Sequence, residues 1–344
     1  MNLTKHWAAS LDDYAIDLAW SPDGSVLAAA SASGGVTLFA AATGAVRHAL
    51  PGHDGGTNAL AWQPAAPDPE AGALLATGGQ DGAVRFWRDG TGAPAGEAAL
   101  GGAWVEHLAW AAPDATPAGA PLLFATAGRR LVALRADAAV AHRFADAPKT
   151  LTALAAHSRH VAAAYFGGVA VWDAGTFAAA KEFPYGNAIH ALTWSPDGRW
   201  LVAGCQDNAV HLWAPAEDLE LQMSGYETKL KELSFSHDSK WLATGGGKDV
   251  CVWDCTGAGP EGREPLLLPH QARVCAVAFQ HRHGLLASAA ADGEFCLWSP
   301  TRKNPLLAEV RMPSTATKFA WRADDSLLAV GTEKGALFVF QLTN

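Results

Sequence analysis

The sequence predicts an all-β fold built from eight copies of one antiparallel sheet. Three observations carry this: a repeat near 43 residues, strand-like alternation within each copy, and one recurrent polar turn. An apolar triplet recurs as Leu18-Ala19-Trp20, Leu60-Ala61-Trp62, Leu108-Ala109-Trp110, Leu154-Ala155-Ala156, Leu192-Thr193-Trp194, Leu233-Ser234-Phe235, Val277-Ala278-Phe279 and Phe319-Ala320-Trp321. The last residues of these triplets, the anchors, are spaced by 42, 48, 46, 38, 41, 44 and 42 residues, so eight copies fill the 344 residues.

Each copy continues in the same order. Ser21-Pro22-Asp23-Gly24 and Ser195-Pro196-Asp197-Gly198 follow their anchors. That is turn chemistry, because proline presets φ and glycine accepts a positive φ. An apolar strand comes next, such as Leu75-Ala76-Thr77-Gly78-Gly79, then a short polar turn, then an alternating strand ending at Phe39, Trp87, Leu134, Trp172, Trp213, Trp253, Trp298 or Phe340. Period-two alternation rich in aromatic and β-branched residues marks strands, and no sustained 3.6-residue pattern competes with it. The final alternating strand, Leu337 to Leu342, has no chain after it to form an outer neighbour, and Leu3 to Ala9 can supply one. That closure would remove an open sheet edge.

Composition narrows the function classes. The chain is 49% hydrophobic and 17% charged, as expected for a folded soluble domain. A net charge of −9 argues against a protein that coats nucleic acid or an anionic membrane. Five cysteines, all between Cys205 and Cys296, suit a reducing compartment better than a disulfide framework. Met1-Asn2-Leu3-Thr4-Lys5-His6-Trp7 lacks the apolar core of a secretory signal, and no apolar run is long enough to span a bilayer. The expectation is a cytoplasmic protein of one domain, residues 1–344. Two Pro/Ala/Gly-rich insertions, 64–73 and 111–121, read as loops, because the repeat resumes directly after each.

The repeat resembles the WD40 family, whose motif runs Gly-His, strand, Ser-Pro-Asp-Gly, strand, Asp turn, and a strand ending Trp-Asp. Trp172-Asp173 and Trp253-Asp254 preserve the terminal pair, and the likeness covers nearly the whole chain. It implies a closed β-propeller with one four-stranded blade per repeat around a central channel. Eight blades are expected. A seven-bladed ring with an appended unit is the alternative, and a miscount would hide in the third and fourth repeats. There Ala156 replaces the anchor aromatic and Arg129-Arg130 replaces the Asp turn.

The resemblance also implies a structural role for residues that look catalytic. In the family a histidine before the first strand bonds a turn aspartate, a strand Ser/Thr and the strand-end tryptophan. His53, Thr77, Asp81 and Trp87 stand in those four places, and His270, Ser288, Asp292 and Trp298 stand there again. A Ser-His-Asp triad needs an oxyanion site as well, so these sets are expected to order their blades. Tyr185 and Tyr226 hold the histidine's place in the fifth and sixth repeats. His281-Arg282-His283 replaces the Ser-Pro-Asp-Gly turn and reads as a solvated turn. The cysteines read as small core fillers, and Gly245-Gly246-Gly247-Lys248 lacks the flanking residues of a phosphate loop. No cofactor and no resident metal are expected.

Family members commonly bind partners on the face that carries the loop before the first strand and the turn between the second and third strands. Three repeat positions point there: six and four before the anchor, and the residue opening the turn. They place Tyr14, Gln80, Trp104, Glu106, Arg129, Phe166, His190, Lys229, Lys231 and Arg273 on that face. Lys229, Lys231 and Arg273 form a basic sector suited to an acidic peptide, and Tyr14, Trp104 and Phe166 supply aromatic groups of the kind enriched at hot spots. Of the fourteen tryptophans, Trp104 alone has no place in the repeat. The function these features predict is a non-catalytic, monomeric adaptor for a protein or peptide. The alternative is a metal or small ligand held at the channel mouth by His190, Glu106 and Cys275.

Overall fold

The computed structural model describes residues 2–64, 72–111, 115–116 and 120–343. The two insertions fall largely outside the described residues. All regular structure among the described residues is β except for a single helical position at Ala115, and no helix is long and apolar enough to cross a membrane. The strands form eight four-stranded sheets; in seven of them consecutive strands are hydrogen-bonded neighbours, and in the eighth the first strand of the chain pairs with the last. The chain divides into two compact units, Trp7–Gly186 and Asn187–Asn344 with Met1–His6.

The unit Trp7–Gly186 holds four sheets, drawn from residues 15–50, 57–99, 105–143 and 151–184. The second is representative. Thr57–Trp62 pairs with Leu74–Gly79, that strand with Ala83–Arg88, and that one with Pro94–Ala99, all antiparallel. Three of its second strands, Val26–Ser31, Leu74–Gly79 and Leu122–Ala127, are buried along their whole length. Both faces of such a strand pack on protein, which explains a continuous apolar run where a one-sided sheet would alternate. The cores lie between successive sheets. Leu74, Val84 and Phe86 pack against Val105, Leu123 and Leu134, and Leu38 and Leu50 against Leu60 and Trp62.

The other unit holds sheets from residues 189–224, 233–269 and 274–311, and a last sheet from residues 316–343. Asn2–Ser10 is the outer neighbour of Ala336–Thr343 in that last sheet, so the segment expected to complete the final repeat does so. Trp7 on this strand is buried beside Phe39, and its Nε1 donates to the Ala41 carbonyl at 2.8 Å. The cores again lie between sheets. Trp200, Leu212 and Leu221 pack with Leu242 and Trp253, and Phe295 and Leu297 with Trp321 and Phe340.

Candidate functional site

The first strands of seven blades carry a β-bulge at one repeat position. Pairing skips Ile16, Asn58, Glu106, Thr152, His190, Cys275 and Thr317. Each lies four residues before its anchor. A bulge leaves its extra residue out of the ladder and re-aims the side chain, so this position is free to vary without breaking the sheet. In the sixth blade the first strand is only Leu233–Phe235, and Lys231 precedes it.

Two residues upstream, the chain is tied to the turn between the second and third strands. Ala32 N donates to Tyr14 O (2.9 Å), Gln80 N to Gly56 O (3.0 Å), Gln206 N to Ala188 O (2.9 Å), Ala291 N to Arg273 O (2.9 Å) and Glu333 N to Thr315 O (3.0 Å). In these five blades one backbone hydrogen bond joins the loop position to the turn position at the same end of the sheet. The bulge, the loop and the turn together form the candidate surface.

Within Trp7–Gly186, Trp104 and Phe166 are 52% and 54% exposed. Tyr14 is half-buried, and the side chain of Gln80 lies against Gly55 and Gly56. Arg129 is exposed and donates from Nε to the Ala147 carbonyl at 2.6 Å. Glu106 is accessible, yet partial burial pushes its carboxyl above the ordinary range. Surrounding protein limits the carboxylate's hydration without covering it.

In the other unit, His190 donates from Nε2 to Gln206 Oε1 at 2.6 Å. Lys229, Lys231 and Arg273 are all exposed. Arg273 has a partner, Glu232, at 3.9 Å, and burial raises that carboxyl's pKa. The sector is therefore less positive than its three cations suggest. Cys275 points its thiol at the carbonyls of Ala289 and Ala316 (3.4 and 3.3 Å), and burial pushes the thiol up to about 12.

The residues that resemble a catalytic triad form a closed circuit in the second blade. Trp87 Nε1 donates to Thr77 Oγ1 at 3.1 Å, Thr77 lies 2.8 Å from His53 Nε2, and His53 Nδ1 lies 2.9 Å from Asp81 Oδ1. Burial lowers the His53 pKa, so the ring is neutral at pH 7. With its proton on Nδ1 the ring donates to Asp81, and Nε2 accepts from the threonine hydroxyl. Burial raises the Asp81 carboxyl, but hydrogen bonds from His53, Arg85 and the Ala83 N–H outweigh it and hold the group at about 2. The hydroxyl is spent inside the network, which leaves no free nucleophile. Gly79 makes room for the ring, since a Cβ there would lie 2.2 Å from His53 Cγ.

Comparison with known proteins agrees with this geometry. The family model "WD domain, G-beta repeat" matches residues 44–88, 181–214, 219–254 and 264–299, and "Anaphase-promoting complex subunit 4 WD40 domain" matches residues 1–65. The chain belongs to the WD40-repeat β-propeller family. This WD40 chain is 27% identical over 159 residues to the Denticleless protein homolog of Xenopus tropicalis, covering 36% of this chain and 22% of that protein. It is 29% identical over 149 residues to the B-type cell cycle switch protein ccs52A of Medicago truncatula, covering 41% and 30%. These alignments span under a third of the relatives' own length. The crystal structure of the computationally designed Ika8 protein superposes with a TM-score of 0.81 at 20% identity, over 98% of this chain and 100% of that one. The fold is an eight-bladed β-propeller, and the seven-bladed alternative is set aside.

The WD40 network of the seventh blade departs from the expected residues. Trp298 Nε1 donates to Ser288 Oγ at 2.7 Å and His270 Nε2 lies 2.7 Å from the same oxygen, but His270 Nδ1 meets Glu294 Oε2 at 2.5 Å. Asp292 was the expected partner. Its carboxylate instead accepts from the Glu294 N–H (3.2 Å) and pairs with Arg311 (2.9 Å). The longer glutamate reaches the ring from the strand, and the turn aspartate is left to cap the turn. In the sixth blade Tyr226 stands in for the histidine. Trp253 Nε1 donates to its hydroxyl at 2.8 Å, and the hydroxyl bonds Thr244 at 2.9 Å.

Two further WD40 features were not apparent from residue types. Anchor indoles bridge to the preceding blade: Trp62 Nε1 donates to Ala19 O (3.0 Å), Trp110 to Ala61 O (3.1 Å) and Trp321 to Ala278 O (3.0 Å). The His281-Arg282-His283 turn is also more than a solvated turn. Its three successive N–H groups hold the carboxylate of buried Asp325 at 2.8, 2.8 and 3.1 Å.

Proposed function

We propose that this WD40 propeller is a non-catalytic adaptor that binds a protein or peptide at the loop end of its blades, centred on Trp104 and Phe166. The observation that carries the reading is the exposure of these two aromatic side chains at positions where the repeat requires neither. Large exposed aromatics are costly to leave in water and are enriched where partners dock. Family members are generally non-catalytic, and the two matched relatives are named as a Denticleless homolog and a cell cycle switch protein. The second-blade network offers no free nucleophile, which supports a structural role for the triad-like residues there.

Lys229, Lys231 and Arg273 support an acidic partner, with Glu232 offsetting part of the sector's charge. A monomer in a reducing, cytoplasmic setting is part of the same proposal, supported by a cysteine count of five, which cannot all pair within the chain. The test is capture of partners from native lysate by wild type, by Trp104→Ala with Phe166→Ala, and by Leu267→Ser on an outer strand. A protein recovered by wild type and Leu267→Ser but lost by the folded double variant supports the adaptor reading. Equal recovery by all three forms places the docking surface elsewhere.

A further inference from the structure

Two blades carry the same imidazole–carboxylate pair, but only one of them contains a cation beside it. In the second blade Arg85, paired across the sheet with Thr77, brings Nη1 to 2.7 Å from both His53 Nδ1 and Asp81 Oδ2. In the seventh blade the residue paired with the equivalent Ser288 is Cys296. The guanidinium is replaced by a thiol. His270, Glu294 and Cys296 are buried, and their ligand atoms all lie within 4.8 Å of one another. The carboxylates of Glu294, Glu309 and Asp292 lie near enough to act on the thiol electrostatically. Only Asp292 among them is paired with an arginine, Arg311, in the salt bridges described.

We propose that His270 Nδ1, a Glu294 carboxylate oxygen and Cys296 Sγ form a binding site for a zinc ion, which takes the place Arg85 fills in the second blade. One nitrogen, one oxygen and one sulfur donor suit a borderline metal such as zinc. Tetrahedral zinc at about 2.0–2.3 Å from each donor holds ligand atoms about 3.3–3.7 Å apart, so the His270 Nδ1–Glu294 Oε2 contact of 2.5 Å opens by about 1 Å as the ion enters. The outer contacts have the form that metal-binding histidines use. His270 Nε2 faces Ser288 Oγ, which also accepts from Trp298, so the ring is oriented from its far side. Binding proceeds with a defined proton balance. The Cys296 thiol releases one proton to buffer, Glu294 binds as the carboxylate, and His270 binds through Nδ1 with its ring proton on Nε2. Ser288 then turns its own hydroxyl hydrogen away and accepts from the ring.

Cobalt(II) substitution tests the site, because a cysteine thiolate bound to cobalt gives a near-ultraviolet charge-transfer band. The full chain, prepared without an affinity tag, is refolded from denaturant with cobalt so that slow entry to a buried site cannot mask binding. The expected result is one cobalt per chain with the band, displaced by one equivalent of zinc. The band should survive substitution of Cys205, Cys251, Cys255 and Cys275 by serine and vanish in Cys296→Ala. Cys296 lies outside the Trp298–Ser288–His270 circuit, so its loss should leave the blade folded. Folded wild type that shows no thiolate band, or a band that persists in Cys296→Ala, overturns the proposal. If Cys296→Ala fails to fold, the wild type and the fourfold serine variant still decide the outcome.

Discussion

The hydroxyl of Thr77 sits between the indole of Trp87 and the imidazole of His53, accepting from Nε1 at 3.1 Å and meeting Nε2 at 2.8 Å. This oxygen is fully buried and links the third strand to the loop that opens the blade. Replacing Thr77 by valine keeps the shape and strands both nitrogens. A buried polar group left unsatisfied costs about 1–3 kcal/mol. The expected loss on urea unfolding is therefore about 2–4 kcal/mol, with Thr77→Ser close to wild type. A valine variant as stable as the parent would show that the circuit contributes shape alone.

Acid should weaken the same blade in two stages. The folded state lowers the His53 pKa below its ordinary 6.5 and holds Asp81 at about 2, below its ordinary 3.8. In both cases the unfolded chain binds protons first, so stability is full at neutral pH and falls as pH drops. The histidine contribution is lost below about 6.5, and the aspartate contribution, on the order of 2 kcal/mol, between about pH 4 and 2. Urea midpoints measured across pH 3–8 should show this decline, and Asp81→Asn should flatten its lower part.

The anchor indoles give a test of cohesion between blades. Trp62→Phe keeps most of the buried ring but removes the donor to Ala19 O. One neutral hydrogen bond is worth about 1 kcal/mol net, and that is the expected loss. Amide exchange should accelerate in both the first and second blades. Acceleration confined to the second would mean that the indole acts within its own sheet.

Tyr226 provides the corresponding test in the sixth blade. Burial pushes its hydroxyl well above the usual tyrosine range, and the same oxygen serves Trp253 and Thr244. Tyr226→Phe should cost about 1–3 kcal/mol by calorimetry, whereas Tyr226→His, restoring the residue the family uses here, should recover part of that loss.

Much of the architecture could be read without coordinates, because the repeat is dictated by local chemistry. Ser-Pro-Asp-Gly makes a turn wherever it occurs, and alternating apolar residues pair wherever a neighbour is available. The eight anchors therefore counted the blades, even where Ala156 had lost its aromatic. The site was only partly readable. The repeat put Trp104 and Phe166 at the loop end, and both are exposed there. It also put Lys229, Lys231 and Arg273 in one sector, but Glu232 lies against Arg273. A carboxylate that neutralises a cation two blade elements away has no signature in the cation's own repeat position.

By itself the sequence determined the strands, the turns, the number of repeats and the residues available to each network, since all of these depend on neighbours close along the chain. Tertiary structure decided which of those residues meet. It placed the bulge at Glu106 and His190, because a bulge exists only relative to the strand it pairs with. It chose Glu294 over Asp292 for His270, because side-chain length and strand position set which carboxylate reaches Nδ1. It also set Cys296 where Arg85 stands in the second blade, and only the register of two separate sheets makes those positions equivalent.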